Sequence, residues 1–247
     1  MHSSMITNLT LLFTILSCVS GRYDPTWASL DSRPMPQWYL DDKIGIFIHM
    51  GVFSVPSFHG EWFWNDWLTQ KDPDVVAFVA QTEVPDFTYA DYAPRLTYEF
   101  FNATDWVSLF AASGARYVVP TTKHHEGFCM WPSATSFNWN SAAVGPNRDV
   151  YGEIANATRK AGLRLGAYHS LFEWYNPLFL ADQAANFTTR TFVDGKTMPE
   201  LYDLIKTYRP ELVWSDGDWV ANDVTYWKSP EFLAWLANDS PVADTVV

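Results

Sequence analysis

The sequence is short of cysteine, of positive charge and of long apolar runs. Only Cys18 and Cys129 are present among 247 residues. If Cys18 is lost with an N-terminal signal, Cys129 has no partner and the remaining chain forms no intrachain disulfide. Lysine and arginine number 16 against 28 aspartates and glutamates, a formal net charge of -12. Such an acidic chain repels phosphate backbones, which sets nucleic acid aside as a partner. Beyond the first residues no apolar run is long enough to span a bilayer. No Gly-x-Gly-x-x-Gly or phosphate loop follows a strand candidate, which disfavours a nucleotide-binding sheet. Low-complexity linkers and internal repeats are also missing.

What the chain does have is aromatic rings. Thirteen Trp, 12 Tyr and 17 Phe make 17% of the residues. Rings fill cores, and their flat faces also stack on sugars. The start of the chain reads as a targeting signal. An apolar run over residues 9–16 is followed by Cys18, Ser20 and Gly21, and it is too short for a membrane span. The expected division is a signal peptide over residues 1–21 and one domain portion over 22–247. Asn102, Asn156, Asn186 and Asn238 each begin an Asn-x-Ser/Thr sequon. With the signal, they point to a glycoprotein of the secretory pathway.

Short apolar strands alternate with amphipathic helices. The strand candidates are 44–49, 117–122, 163–168 and 211–215. Pro120 predicts irregularity near the end of the second strand, because it removes a ladder donor. Helices are expected from Thr104 to Gly114, from Asp149 to Gly162, after a capping box at Thr197–Glu200, and from Ser229-Pro230. This alternation is that of an α/β protein, either a (β/α)8 barrel or an open doubly wound sheet.

Each strand candidate ends in functional residues. The first ends at His49 and the second runs into Lys123-His124-His125-Glu126. The third ends at Tyr168-His169-Ser170 and the fourth at Trp214-Ser215-Asp216-Gly217-Asp218-Trp219. In a barrel these ends converge on one face. Histidines suit sugar hydroxyls, Trp62, Trp214 and Trp219 suit sugar faces, and a carboxylate at the anomeric carbon can form a covalent intermediate. Lys123 and Glu126 read as a structural pair that holds the two histidines.

The segments Gly45–His49, Glu61–Trp64, Thr122–Phe128 and Trp214–Trp219 resemble those of the alpha-L-fucosidases of glycoside hydrolase family 29, in order and spacing. The resemblance is strongest to the animal lysosomal and secreted members. It implies a TIM-like (β/α)8 barrel and a retaining cleavage of terminal alpha-L-fucose from glycoproteins and glycolipids. By resemblance, Asp216 is the nucleophile. His49, Glu61, Trp62, His124, His125, Tyr168 and Trp214 bind the sugar. No metal or cofactor is implied, fucosylated glycans are the expected partners, and a homo-oligomer is compatible. The expected location is lysosomal or extracellular. Met50 stands where the family usually has Trp, and His59-Gly60 precedes Glu61 where small or aromatic residues are usual. The family's acid/base carboxylate and its C-terminal β-sandwich are expected beyond Val247, so that only the N-terminal part of the barrel is present.

Two other readings carry less weight. A noncatalytic fucose-binding protein would keep the histidines but has no need of Asp216. A metallohydrolase on the histidines lacks a His-Glu-x-x-His or His-x-x-Glu-His spacing, and Cys129 has no cysteine partner.

Overall fold

The computed structural model describes residues 21–221, 223 and 225–247. Apart from Gly21, the segment read as a signal peptide lies outside these residues. Four parallel strands form one sheet in the order β1 (Gly45–Ile48), β2 (Tyr117–Lys123), β3 (Arg164–Ser170) and β4 (Leu212–Asp216). All four strand candidates of the sequence are therefore present, each within two residues of its expected bounds.

Six helices of eight residues or more accompany the strands. They are α1 (Pro73–Thr82), α2 (Ala103–Ala112), α3 (Val150–Lys160), α4 (Pro177–Ala184), α5 (Met198–Tyr208) and α6 (Ser229–Asn238). No helix among the described residues is long and apolar enough to cross a membrane. Asp149 caps α3 as expected, accepting from the Gly152 N–H. The cap of α2 is Asn102 rather than Thr104, because the Asn102 carboxamide already satisfies the Thr104 and Asp105 N–H groups. The capping box at Thr197 does not form. Thr197 is helical, the last residue of a π-turn (Val193–Thr197) that runs straight into α5. Its hydroxyl donates to the Leu171 carbonyl instead. The side chains of Asn102, Asn156 and Asn186 are exposed. Asn238 is half-buried and brackets the Tyr23 backbone with two hydrogen bonds.

Strand side chains alternate between faces, and the two faces of this sheet differ. Val118, Leu165 and Ala167 share a core with Val107 of α2, Ile154 of α3 and Leu204 of α5. A second core gathers Phe172, Phe179, Leu201, Trp227 and Phe232 around α4, α5 and α6. The opposite face carries a smaller cluster of Trp38, Val119, Tyr168 and Leu212, and Phe47 and Trp214 remain exposed. At the outer edge of β4, Val247 donates to the Glu211 carbonyl at 2.9 Å and accepts from the Val213 N–H at 2.8 Å.

Pro120 sits opposite Ile48 without breaking the strand. The irregularity comes just after it. Thr121 pairs with Tyr168 but Lys123 pairs with His169, so β2 holds one residue more than β3. Such an insertion re-aims the side chains that follow. Here Lys123 and His169 both turn toward Glu200 of α5, at 2.7 and 3.7 Å.

Beneath the strand ends lies a buried ion cluster. Lys123 contacts Glu200 and Glu173 at 2.7 and 3.0 Å, and Lys196 contacts the same two carboxylates at 2.9 and 3.3 Å. Burial alone would raise the Glu200 pKa, but Lys123, Lys196 and His169 outweigh it and hold the group well below the usual carboxylate range. Lys123 is therefore the partner of Glu173 and Glu200, not of Glu126. The bulge turns it away from the loop that carries Glu126.

Candidate active site

Asp216 ends β4 with its side chain about one quarter exposed. Leu212, Trp214 and Asp216 share a face by strand alternation, and Tyr168 of β3 lies on that face too. The Tyr168 hydroxyl donates to Asp216 Oδ2 at 2.5 Å. Burial, then this bond to a carboxylate, pushes the Tyr168 hydroxyl far above its ordinary value, so it keeps its proton and donates it to Asp216. Gly217 follows with φ of +98°, a backbone that favours glycine. A Cβ there would meet the Phe172 ring at 2.4 Å. The room that glycine leaves is thus filled by Phe172.

The histidines are held by hydroxyls whose own protons are already committed. Thr121 donates to the Ile48 carbonyl at 2.8 Å, so it accepts from His49 Nδ1 at 3.1 Å. Ser170 donates to the Phe172 carbonyl at 2.6 Å, so it accepts from His125 Nδ1 at 2.6 Å. This network assigns the proton to Nδ1 in both rings and leaves each Nε2 as an acceptor. His125 Nε2 lies 3.6 Å from Asp216 Oδ2. His124 stacks over Tyr168 with centroids 5.7 Å apart, and His49 meets both rings edge-on at about 5 Å. One ligand atom each from His49, Glu61 and His124 lie within 4.8 Å of one another. Trp62 approaches the His125 ring at 5.5 Å, and Trp214 lies 5.0 Å from Phe47.

Asp216, His49, Glu61, Trp62, His124, His125, Tyr168 and Trp214 are therefore linked through direct contacts or shared neighbours into one surface at the carboxyl ends of the strands. His169 is not part of it. It follows Tyr168, so alternation sends it to the opposite face, where it is fully buried beside Glu200. Sequence reasoning missed Thr121 and Ser170, which orient rings, and Phe172 and Trp174, which pack on His125 at 4.3 and 5.3 Å. It also missed the surroundings of Glu126. That side chain is buried, with Oε2 3.5 Å from His124 Nδ1. Motif position was the available signal for Thr121, Ser170 and Phe172, which lie within two residues of a strand end, whereas Glu126 and Trp174 lie three and four residues beyond one.

Burial, reinforced by His124, His49 and Lys123, drives His125 down to about 2. Burial likewise pushes His169 well below its ordinary value and lowers His49. The unfolded chain takes up these protons near 6.5, while the folded chain does not. Their contribution to stability is therefore complete above that value and declines as pH falls. The urea midpoint is expected to drop between pH 7 and pH 5, each fully buried imidazole contributing at most ~1.4 kcal/mol per pH unit. In a His125→Gln variant the slope should be shallower; an unchanged slope would reject the assignment.

The sequence profile of the alpha-L-fucosidase family matches residues 11–247, and the chain belongs to that family. The tissue alpha-L-fucosidases of Bos taurus and Homo sapiens are 56% and 55% identical to it over 226 residues, which is 92% of this chain and 48% of each relative. The plasma alpha-L-fucosidase of Homo sapiens is 53% identical over 227 residues, covering 92% of this chain and 48% of its own length. The chain spans about half the length of the curated relatives it matches. Among solved structures, the Thermotoga maritima alpha-fucosidase in complex with fucose is 32% identical with a TM-score of 0.75. The match covers 87% of this chain and 53% of that one. The same enzyme in complex with a mechanism-based inhibitor gives 32% and 0.78, covering 90% and 55%.

Proposed function

We propose that the site binds a terminal alpha-L-fucose of glycoprotein and glycolipid glycans and that Asp216 is the nucleophile of a retaining hydrolysis. The observation that carries the reading is the Asp216 carboxylate, held through one oxygen by Tyr168 among histidines with free acceptor nitrogens. Asp216 attacks the anomeric carbon as the glycosidic C–O bond breaks, and the leaving oxygen takes a proton from an acid. Water then cleaves the fucosyl ester and restores the carboxylate. His49, His124 and Glu61 accept hydrogen bonds from sugar hydroxyls, and His125 lies beside the nucleophile. Trp62 and Trp214 cover apolar sugar faces. Glu173 and Glu200 are committed to the buried lysines and do not supply that acid. The fucose-bound Thermotoga maritima relative supports the substrate class.

The sequential parallel order β1-β2-β3-β4 is that of an arc of a (β/α)8 barrel. We read residues 22–247 as the N-terminal portion of that catalytic domain. Residues 1–21 serve as its secretory signal, with a lysosomal or extracellular destination.

Calorimetry on this chain tests the sugar site without requiring turnover. L-Fucose is expected to bind saturably, D-fucose is not, and His49→Ala should weaken binding about tenfold, the equivalent of ~1.4 kcal/mol for one lost strong hydrogen bond. Equal affinity for both enantiomers would sink the assignment, as would no binding.

A further inference from the structure

His49, Glu61 and His124 present acceptors only. The His49 Nδ1 proton is taken by Thr121, which leaves the Nε2 lone pair outward. Nδ1 of His124 faces the buried Glu126 carboxylate at 3.5 Å. Neither that nitrogen nor either Glu126 oxygen has a hydrogen-bond partner among the described residues. A proton on Nδ1 faces the carboxylate across that gap, which favours the tautomer with Nε2 of His124 as a second lone pair. A carboxylate completes the set, and one ligand atom from each of the three residues lies within 4.8 Å of the other two.

Two imidazoles and a carboxylate, each imidazole oriented through its other nitrogen by a hydroxyl or a carboxylate, match the ligand set and outer shell of open zinc sites. Separations of up to 4.8 Å exceed those between ligands on one ion, so modest side-chain rotation is required. His49 is exposed and Glu61 half-buried, which leaves them free to make it. The sequence offered no metal spacing because the three ligands come from the end of β1, the turn after it and the loop after β2.

We propose that His49, Glu61 and His124 form a binding site for a divalent zinc-class cation, whose occupation excludes sugar. Three protein ligands leave a fourth position for water, and the ion covers the acceptors assigned above to sugar hydroxyls. Metal binding itself does not depend on the fucose reading; only the competition with sugar rests on it.

The test is calorimetry of the chain with zinc chloride in phosphate-free buffer, paired with the visible spectrum of the cobalt-loaded protein. One saturable site is expected, with tetrahedral cobalt bands. His49→Ala and Glu61→Gln should each weaken zinc at least about tenfold, and Glu126→Gln by a similar factor through loss of ring orientation. His59 is the control, because it lies 3.0 Å from Asp66 and 3.8 Å from Asp72 and offers the competing surface site. A His59→Ala variant should bind zinc as the parent does. L-Fucose should raise the apparent zinc dissociation constant. Absence of saturable binding overturns the proposal, and so does zinc affinity that survives His49→Ala but is lost in His59→Ala. Fucose binding without zinc binding overturns the metal site and leaves the sugar reading intact. Zinc binding lost in His49→Ala, with no fucose binding, supports the metal site and removes the sugar reading.

Discussion

An Asp216→Gly variant is expected to hydrolyse an aryl alpha-L-fucoside at least ~10³-fold more slowly than its parent, with sodium azide restoring part of the rate. The comparison belongs in a form of the protein that turns over. The loss should appear in kcat more than in KM, because the carboxylate bonds to the anomeric carbon only during reaction. Azide fills the space left by the side chain and attacks from the same side, so its product should be the beta-fucosyl azide. Tyr168 distinguishes this role from a merely structural one. Its hydroxyl holds one Asp216 oxygen at 2.5 Å, so Tyr168→Phe should slow turnover while the fold persists. Full activity in Asp216→Gly would remove the nucleophile assignment. Retained L-fucose binding, with no turnover in the parent under any condition, would favour a fucose-binding protein instead.

Replacing Glu200 is expected to cost roughly 3–5 kcal/mol of stability, the range for removing one partner of a buried ion pair. That is a large share of the ~5–15 kcal/mol that holds a typical domain together. Glu200 is 1% exposed and contacts both Lys123 and Lys196. Hydroxyls of Ser133, Thr135 and Ser136 also donate to its Oε1 at 2.9 to 3.0 Å. Glu200→Gln preserves the shape but leaves two buried ammonium groups sharing Glu173. Urea denaturation at pH 7 reads the loss directly. The Lys123→Met, Glu200→Met double variant should lose less than the sum of the single changes, since it removes both sides of one pair. A loss under about 1 kcal/mol for Glu200→Gln would mean that Glu173 and the hydroxyls suffice. Because the Glu200 pKa is depressed, its stabilisation is present above the ordinary carboxylate pKa of 4.5 and disappears as pH falls below it.

The strands, and the candidate site residues at their ends, were legible because parallel strands leave a direct mark: a short apolar run closed by polar residues. Face assignment was not. Tyr168 and His169 look equivalent in the sequence, yet alternation places one beside Asp216 and the other beside Glu200. The capping box at Thr197 failed because Glu200 is drawn to two lysines distant or hidden in the local pattern. Pro120 marked irregularity near the end of β2, but not that a one-residue slip there would move Lys123 away from Glu126. Helices α1 and α4 went unread although Asp72-Pro73 and Asn176-Pro177 mark their starts. Their apolar residues run consecutively rather than at helical spacing, so periodicity was weak while cap chemistry was strong. The barrel reading remains an inference from strand order, since the described sheet has four strands.

The strand order also bears on how the chain reaches this state. Every strand pairs with the one synthesised just before it. Within the four described strands, β2, β3 and β4 each find a partner already made, so this part of the sheet can grow vectorially as the polypeptide emerges. At each stage a single fresh edge accepts the next addition, and loop closure spans only one crossover at a time. Val247, bonded to Glu211 and Val213, already occupies part of the β4 edge, the last of the described strands to be made.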